Sequence, residues 1–72
     1  MFYITEINGK VREIIDTSGK ANKYGKPKQF KSPENALMWL SRKCGYHTTS
    51  KYEICDMETG NKVLVYDVKV NR

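Results

Sequence analysis

Ser32-Pro33-Glu34-Asn35-Ala36-Leu37-Met38-Trp39-Leu40-Ser41-Arg42-Lys43-Cys44-Gly45 is the one stretch of this chain that carries a full set of helix signals. Ser32 suits the N-cap, where a hydroxyl accepts a free backbone N–H of the first turn. Pro33 suits the first helical position, which needs no N–H. Glu34 falls near the positive end of the helix dipole, and Arg42 and Lys43 near the negative end. Gly45 can take the left-handed conformation that stops a helix. The expected helix is therefore about 33–44. Ala36, Leu37, Leu40 and Cys44 make its apolar stripe, Trp39 flanks that stripe, and Met38 falls nearly opposite it. Met38 is read either as a lone exposed apolar residue or as the edge of a contact surface.

On the N-terminal side, residues 2–16 read as a β-hairpin. Phe2-Tyr3-Ile4-Thr5-Glu6-Ile7 is rich in strand formers, Asn8-Gly9 is a strong turn signal, and Val11-Arg12-Glu13-Ile14-Ile15 is the return strand. On the C-terminal side, 51–70 reads as a second hairpin. Lys51 to Met57 forms one strand, Glu58-Thr59-Gly60-Asn61 the turn, and Lys62 to Val70 the other strand. In that last strand Leu64, Tyr66, Val68 and Val70 share one face, and Val63 and Val65 the other. The order is ββαββ. The expected fold is α+β, one antiparallel sheet of about four strands with a single helix packed on one face. The other sheet face would carry some of Phe2, Tyr3, Ile4, Ile7, Val63 and Val65. Such a face, or the edge strand at 63–69, suits a homodimer contact or a partner.

A chain of 72 residues is a single small domain with a modest core. Its hydrophobic fraction of 39%, with one Trp, five Tyr and two Phe, is that of a folded chain. No apolar run approaches the ~20 residues of a membrane span, and the start lacks the basic and apolar regions of a signal peptide. The expected location is cytoplasmic, with no membrane partner.

The net charge is +5, and it is unevenly placed. Lys20, Lys23, Lys26, Lys28 and Lys31 fall between Thr17 and Pro33 with no acid among them. These five account for the whole excess of thirteen basic residues over eight acids. The segment 17–31 reads as one long basic loop, and loops of that length are commonly functional. Arg42, Lys43 and Lys51 extend the positive region. Such a field draws in anions. Three partners fit: nucleic acid, with Tyr24, Phe30, Tyr46 or His47 able to stack on bases; an acidic protein surface; or a small phosphorylated molecule. A solvated loop that keeps the protein soluble is the plain alternative. The candidate partner-binding residues are Lys20, Lys23, Tyr24, Lys26, Lys28, Lys31, Met38, Trp39, Arg42 and Lys43. Phe30, two residues before the cap, is placed to pack as a lid on the first helical turn.

Catalytic and metal chemistry find little to work with. Cys44, Cys55 and His47 do not make the close four-ligand spacing of a zinc site. Cys44 and Cys55 are read as separately buried thiols rather than a disulfide. Ser18-Gly19-Lys20 lacks the spacing of a phosphate-binding loop. Asp16, Asp56, Glu58 and Asp67 fall at strand ends or turns, where acids are ordinarily just solvated. We expect no metal, no cofactor and no enzyme.

Phe30-Lys31-Ser32-Pro33-Glu34-Asn35-Ala36-Leu37-Met38-Trp39-Leu40 resembles a helix start used by small bacterial and phage proteins, where an aromatic residue, a Ser/Thr cap, an acid, an alanine and a Trp launch a helix onto a hairpin. It is also similar to the helix start of the small arm-binding domains of phage integrases, which lay a three-stranded sheet on DNA. In those domains the helix comes last, whereas here a second hairpin follows. In size and lysine-rich composition the chain resembles phage accessory proteins that inhibit host defences, including anti-CRISPR proteins. That resemblance implies a non-catalytic inhibitor in the host-cell cytoplasm, blocking by occlusion a protein or protein–nucleic-acid complex with an acidic surface. Direct nucleic-acid binding is the other function it leaves open.

Overall fold

The computed structural model describes residues 1–43 and 51–67. Its elements are β1 (Phe2–Asn8), β2 (Val11–Ile15), β3 (Ala21–Asn22), α1 (Pro33–Lys43), β4 (Lys51–Asp56) and β5 (Lys62–Asp67). They form one antiparallel sheet in the order β3-β2-β1-β4-β5 with the single helix against it. This is the expected α+β architecture with five strands rather than about four. The extra strand, β3, is two residues long, too short for any alternation to show in the sequence.

The first hairpin turns one residue later than expected. Asn8 pairs with Val11 as the last rung of the ladder, so Gly9 and Lys10 are the two loop residues. Gly9 has φ +64 and Lys10 is not among the positive-φ residues, the arrangement of a II′ turn, which wants Gly at its first central position.

The helix begins as its sequence dictates. Asn35 N donates to the Ser32 hydroxyl at 3.1 Å, and Ala36 N donates to the Ser32 carbonyl. Ala36 and Leu40 are buried, with Leu37 and Trp39 packed around them. They lie on the sheet face formed by Ile4, Ile15, Tyr52 and Ile54. Ile4 and Ile54 are directly opposite across β1 and β4, and Ile54 is opposite Leu64 across β4 and β5. Phe30 closes the core at the foot of the helix. Its ring is 5.8 Å from that of Trp39, tilted by 60°, and its backbone exchanges two hydrogen bonds with Phe2. The expected lid is thus a buried core residue.

Register decides the two faces. Phe2, Ile4, Tyr52, Ile54, Leu64 and Tyr66 share the helix side. Tyr3, Thr5, Ile7, Ile14, Glu53, Cys55 and Val65 fall on the other, by the alternation of the paired strands. Among the described residues no element covers that second face. Phe2 and Ile4, which the sequence left open to either side, belong to the helix side.

Residues 44–50 and 68–72 lie outside the described residues. The helix at Cys44, the helix stop at Gly45, the readings of Tyr46 and His47, and strand positions Val68 to Val70 are among them. The side chains of Lys43 and Asp67 are likewise not described. Cys55 is a buried free thiol.

Candidate functional site: a pinned lysine segment and the open sheet face

The segment between β2 and α1 is held to the sheet at Ala21 and Asn22 and again from Pro27 to Phe30. Asp16 begins it. One Asp16 carboxylate oxygen, Oδ1, accepts from Ser18 N at 2.9 Å, Ser18 Oγ at 2.6 Å and Lys20 N at 3.1 Å. The other accepts from Asn22 Nδ2 at 3.3 Å. Backbone bonds from Asp16 N to Lys20 O and from Gly19 N to Asp16 O complete the turn. The donors, chiefly the Ser18 hydroxyl and then the Lys20 backbone N–H, lower the Asp16 pKa to about 2. Asp16 is therefore a structural acid and not the merely solvated one its position suggested. Asp56 plays a smaller version of the part, accepting Glu58 N at 2.8 Å.

The chain then pairs with β2 at Ala21 and Asn22, swings out through Lys23 to Lys26, and returns. Pro27 bridges Asp16, Lys28 N donates to Ile15 O at 2.9 Å, and Phe30 docks on Phe2. Gly25 passes so close to the Asp16 turn that a Cβ there would lie 3.0 Å from Asp16 Cβ and 3.1 Å from Asn22 Nδ2. The long loop is a folded platform.

On this platform the candidate residues divide. Lys20, Lys23, Lys26 and Lys31 are exposed. Neither ion pair of the described residues, Arg12–Glu53 and Lys62–Glu53, involves any of them. Tyr24, between Lys23 and Lys26, is 94% exposed. Its backbone N is fixed by Asn22 Oδ1 at 2.9 Å, so an almost wholly solvated ring is carried on a held main chain. Lys28 differs. Its Nζ lies 5.9 Å from the Phe30 ring centre and 6.0 Å from that of Trp39, within cation–π range of both. Trp39 is partly buried against the core, so Lys28 and Trp39 belong first to the packing at the helix foot. Met38 is 54% exposed and Arg42 is exposed, both on the outer side of the helix.

The open face of the sheet holds a second group that sequence reasoning missed. A hollow of about 300 Å³ is lined by Tyr3, Thr5, Arg12, Lys23, Glu53 and Lys62, among others. Glu53 is its anchor, only 8% exposed. Arg12 Nη1 is 2.8 Å from Glu53 Oε1, and Lys62 Nζ is 3.7 Å from Oε2. The hydrogen bond from Arg12 lowers the Glu53 pKa against the opposing effect of burial. Burial, then the Cys55 thiol opposite it, raises the Tyr3 phenol. Lys62 reaches this face because of an irregularity in pairing. Between Ile54 and Cys55 the register slips, so Cys55 meets Lys62 where regular pairing would bring Val63. A β-bulge of this kind re-aims a side chain. The signal available in the sequence was an alternation: Arg12 is in phase with Ile14, and Glu53 with Cys55, each a charge set among residues of the face away from the helix.

Lys23 joins the two groups, standing on the platform and also lining the hollow. Arg12 and Lys62 keep more than half of their side-chain surface in solvent while neutralising Glu53. Together these residues offer a ligand ammonium and guanidinium donors, a hydroxyl and an aromatic ring, which suits an extended anionic surface. Among the described residues no group of three His, Cys, Asp or Glu side chains is placed to hold a metal ion. No helix among the described residues is long and apolar enough to cross a membrane. No family model matches this chain, and no curated protein or solved structure matches it either.

Proposed function

We propose that this chain is a non-catalytic binding protein that docks on a negatively charged macromolecular partner through Lys20, Lys23, Lys26 and Lys31. The adjoining cationic rim of the open sheet face supports that contact. The observation that carries the reading is the condition of these lysines. They are exposed, have no carboxylate partner among the described residues, and stand on a segment fixed by Asp16 and by backbone bonds to β1 and β2. A platform ordered before binding loses less conformational entropy on docking than a free loop does. In the phage-type inhibitors that the chain resembles, coverage of an acidic host complex is itself the inhibitory act, and Met38 and Arg42 would widen the covered area.

The test is a triple reversal, Lys20→Glu, Lys23→Glu and Lys26→Glu, in a pull-down from host lysate. Binding is expected to be lost while the melting temperature stays nearly constant, because none of the three makes an ion pair with another described residue. Retained binding would reduce the segment to a solubilising surface.

Direct binding of nucleic acid is the second reading, favoured by Tyr24. An exposed ring between two lysines is the arrangement that stacks a base while the neighbouring ammonium groups meet phosphates. Nuclease treatment of the same lysate separates the two, since a nucleic-acid partner disappears with it. A salt titration on duplex DNA should then show log affinity falling with log salt by about 0.9 per phosphate contacted.

A further inference from the structure

We infer that the hollow on the open sheet face is a site for a single phosphate monoester group, held by Arg12, Lys23 and Lys62. Arg12 comes from β2, Lys62 from β5 and Lys23 from the segment after β3, and all three line the hollow. Glu53 is the carboxylate at its floor, 8% exposed. Glu13 also touches the hollow, but it lies between Arg12 and Ile14 on β2, and alternation sends its side chain to the helix side. Three cations against one carboxylate leave an excess of two positive charges in one place. Arg12 alone suffices to neutralise Glu53, so the two lysines are surplus to that pair.

The donors are as unspent as the charge. Arg12 gives Glu53 one N–H, from Nη1 at 2.8 Å, of the several that a guanidinium carries. Among the described residues its side chain makes no other hydrogen bond. Lys62 Nζ stands 3.7 Å from Glu53 Oε2, an ion-pair distance and too long for a hydrogen bond. Lys23 makes no ion pair with a described residue. The side chains of Arg12 and Lys62 are 59% and 54% exposed and that of Glu53 is 11% exposed. The cations therefore face solvent, and the carboxylate beneath holds them in position. Lys62 reaches this face because the pairing slips between Ile54 and Cys55, and bulges that re-aim a side chain are frequent beside functional sites.

A phosphate monoester supplies what the hollow lacks. Near neutral pH it carries a charge of about −1.5 to −2 and three strong acceptor oxygens, and a guanidinium fork binds two of those oxygens at once. A carboxylate or a backbone phosphodiester brings a single charge and leaves part of the excess unmatched. The hollow, about 300 Å³, is at the small end for ligand sites, with room for a phosphate and its first waters or a short ester. The inference rests on the proposed function in taking an anion as the ligand. It adds one defined group at a place that Lys20, Lys26 and Lys31 do not line.

NMR titration of the isotope-labelled full chain with inorganic phosphate, at an ionic strength held constant with chloride, tests this. Saturating shifts are expected at the Arg12 side-chain N–H and the Lys62 amide, with millimolar affinity. Lys23→Gln and Lys62→Gln should each weaken binding roughly fivefold or more, the loss of a charged hydrogen bond. Both leave Arg12 on Glu53, so the fold is kept. Lys20→Gln combined with Lys26→Gln should leave phosphate binding unchanged while weakening capture of the macromolecular partner, so failure of the hollow and failure of the platform are read separately. Glycerol phosphate binding at least as tightly as inorganic phosphate assigns the group to a small molecule. Tightening confined to a 5′-phosphorylated oligonucleotide, and lost when that phosphate is removed, assigns it to a nucleic-acid end. Shifts that do not saturate by about 50 mM phosphate overturn the inference. So do shifts that acetate reproduces at equal concentration, or that survive Lys62→Gln unchanged.

Discussion

Arg12 on β2 and Glu53 on β4 meet at 2.8 Å across β1, the strand that separates theirs. The bond ties three neighbouring strands together on the face the helix does not cover. It also leaves a carboxylate almost fully buried with two cations beside it.

Glu53 should therefore be costly to lose and strongly coupled to Arg12. Glu53→Ala should lower the melting temperature by about 5 °C or more, the response of a domain this size to a loss of ~1 kcal/mol. Adding Arg12→Ala should then do little further harm. Thermal denaturation of the two single variants and the double variant checks this. Additive losses would mean the two residues act independently.

Acid should loosen the lysine platform. The folded-state pKa of Asp16, about 2, lies below the ordinary value of ~3.9. A group depressed in this way adds stability above its unfolded pKa and loses it as pH falls toward the folded one. Glu53 is shifted in the same direction. Urea midpoints should accordingly drop between about pH 4 and pH 2, and Asp16→Asn should flatten part of that decline.

Gly25→Ala should disturb the same turn from outside. Its new methyl would press on Asp16 Cβ and the Asn22 amide at 3.0–3.1 Å, closer than side-chain carbons normally sit. The expected result is a lower melting temperature and faster amide exchange at Ser18 and Lys20, read by NMR. An unchanged exchange pattern would show that the segment can move aside freely.

Leu40 and Met38 offer a contrast within one helix. Leu40 is fully buried, and Leu40→Ala should cost about 2–5 kcal/mol. Met38 is more than half exposed, and Met38→Ala should stay within about 0.5 kcal/mol. Chemical denaturation measures both. A partner-binding defect in the Met38 variant, without a stability change, would place the outer helix surface in the docking interface.

What could be read without coordinates is what depends on near neighbours in the chain. Ser32, Pro33 and the stripe through Ala36 and Leu40 specify the helix because capping and 3.6-residue periodicity are local. The alternation in β5 assigned Leu64 and Tyr66 to one face and Val65 to the other because side chains along a strand alternate with period two. The concentration of lysine between Thr17 and Pro33 was equally legible, since charge is counted along the chain.

The tertiary structure decided what depends on register between distant segments. β3 exists because Asp16 gathers Ser18, Lys20 and Asn22 and turns the chain back onto β2, and two residues of strand leave no periodic trace. Lys62 reaches Glu53 only because the β4–β5 pairing slips by a residue. Arg12 and Glu53, 41 residues apart in sequence, become partners because β1 pairs with β2 on one side and β4 on the other. A strand's neighbours are chosen by how the whole sheet buries its apolar face, and no short stretch of sequence contains that choice.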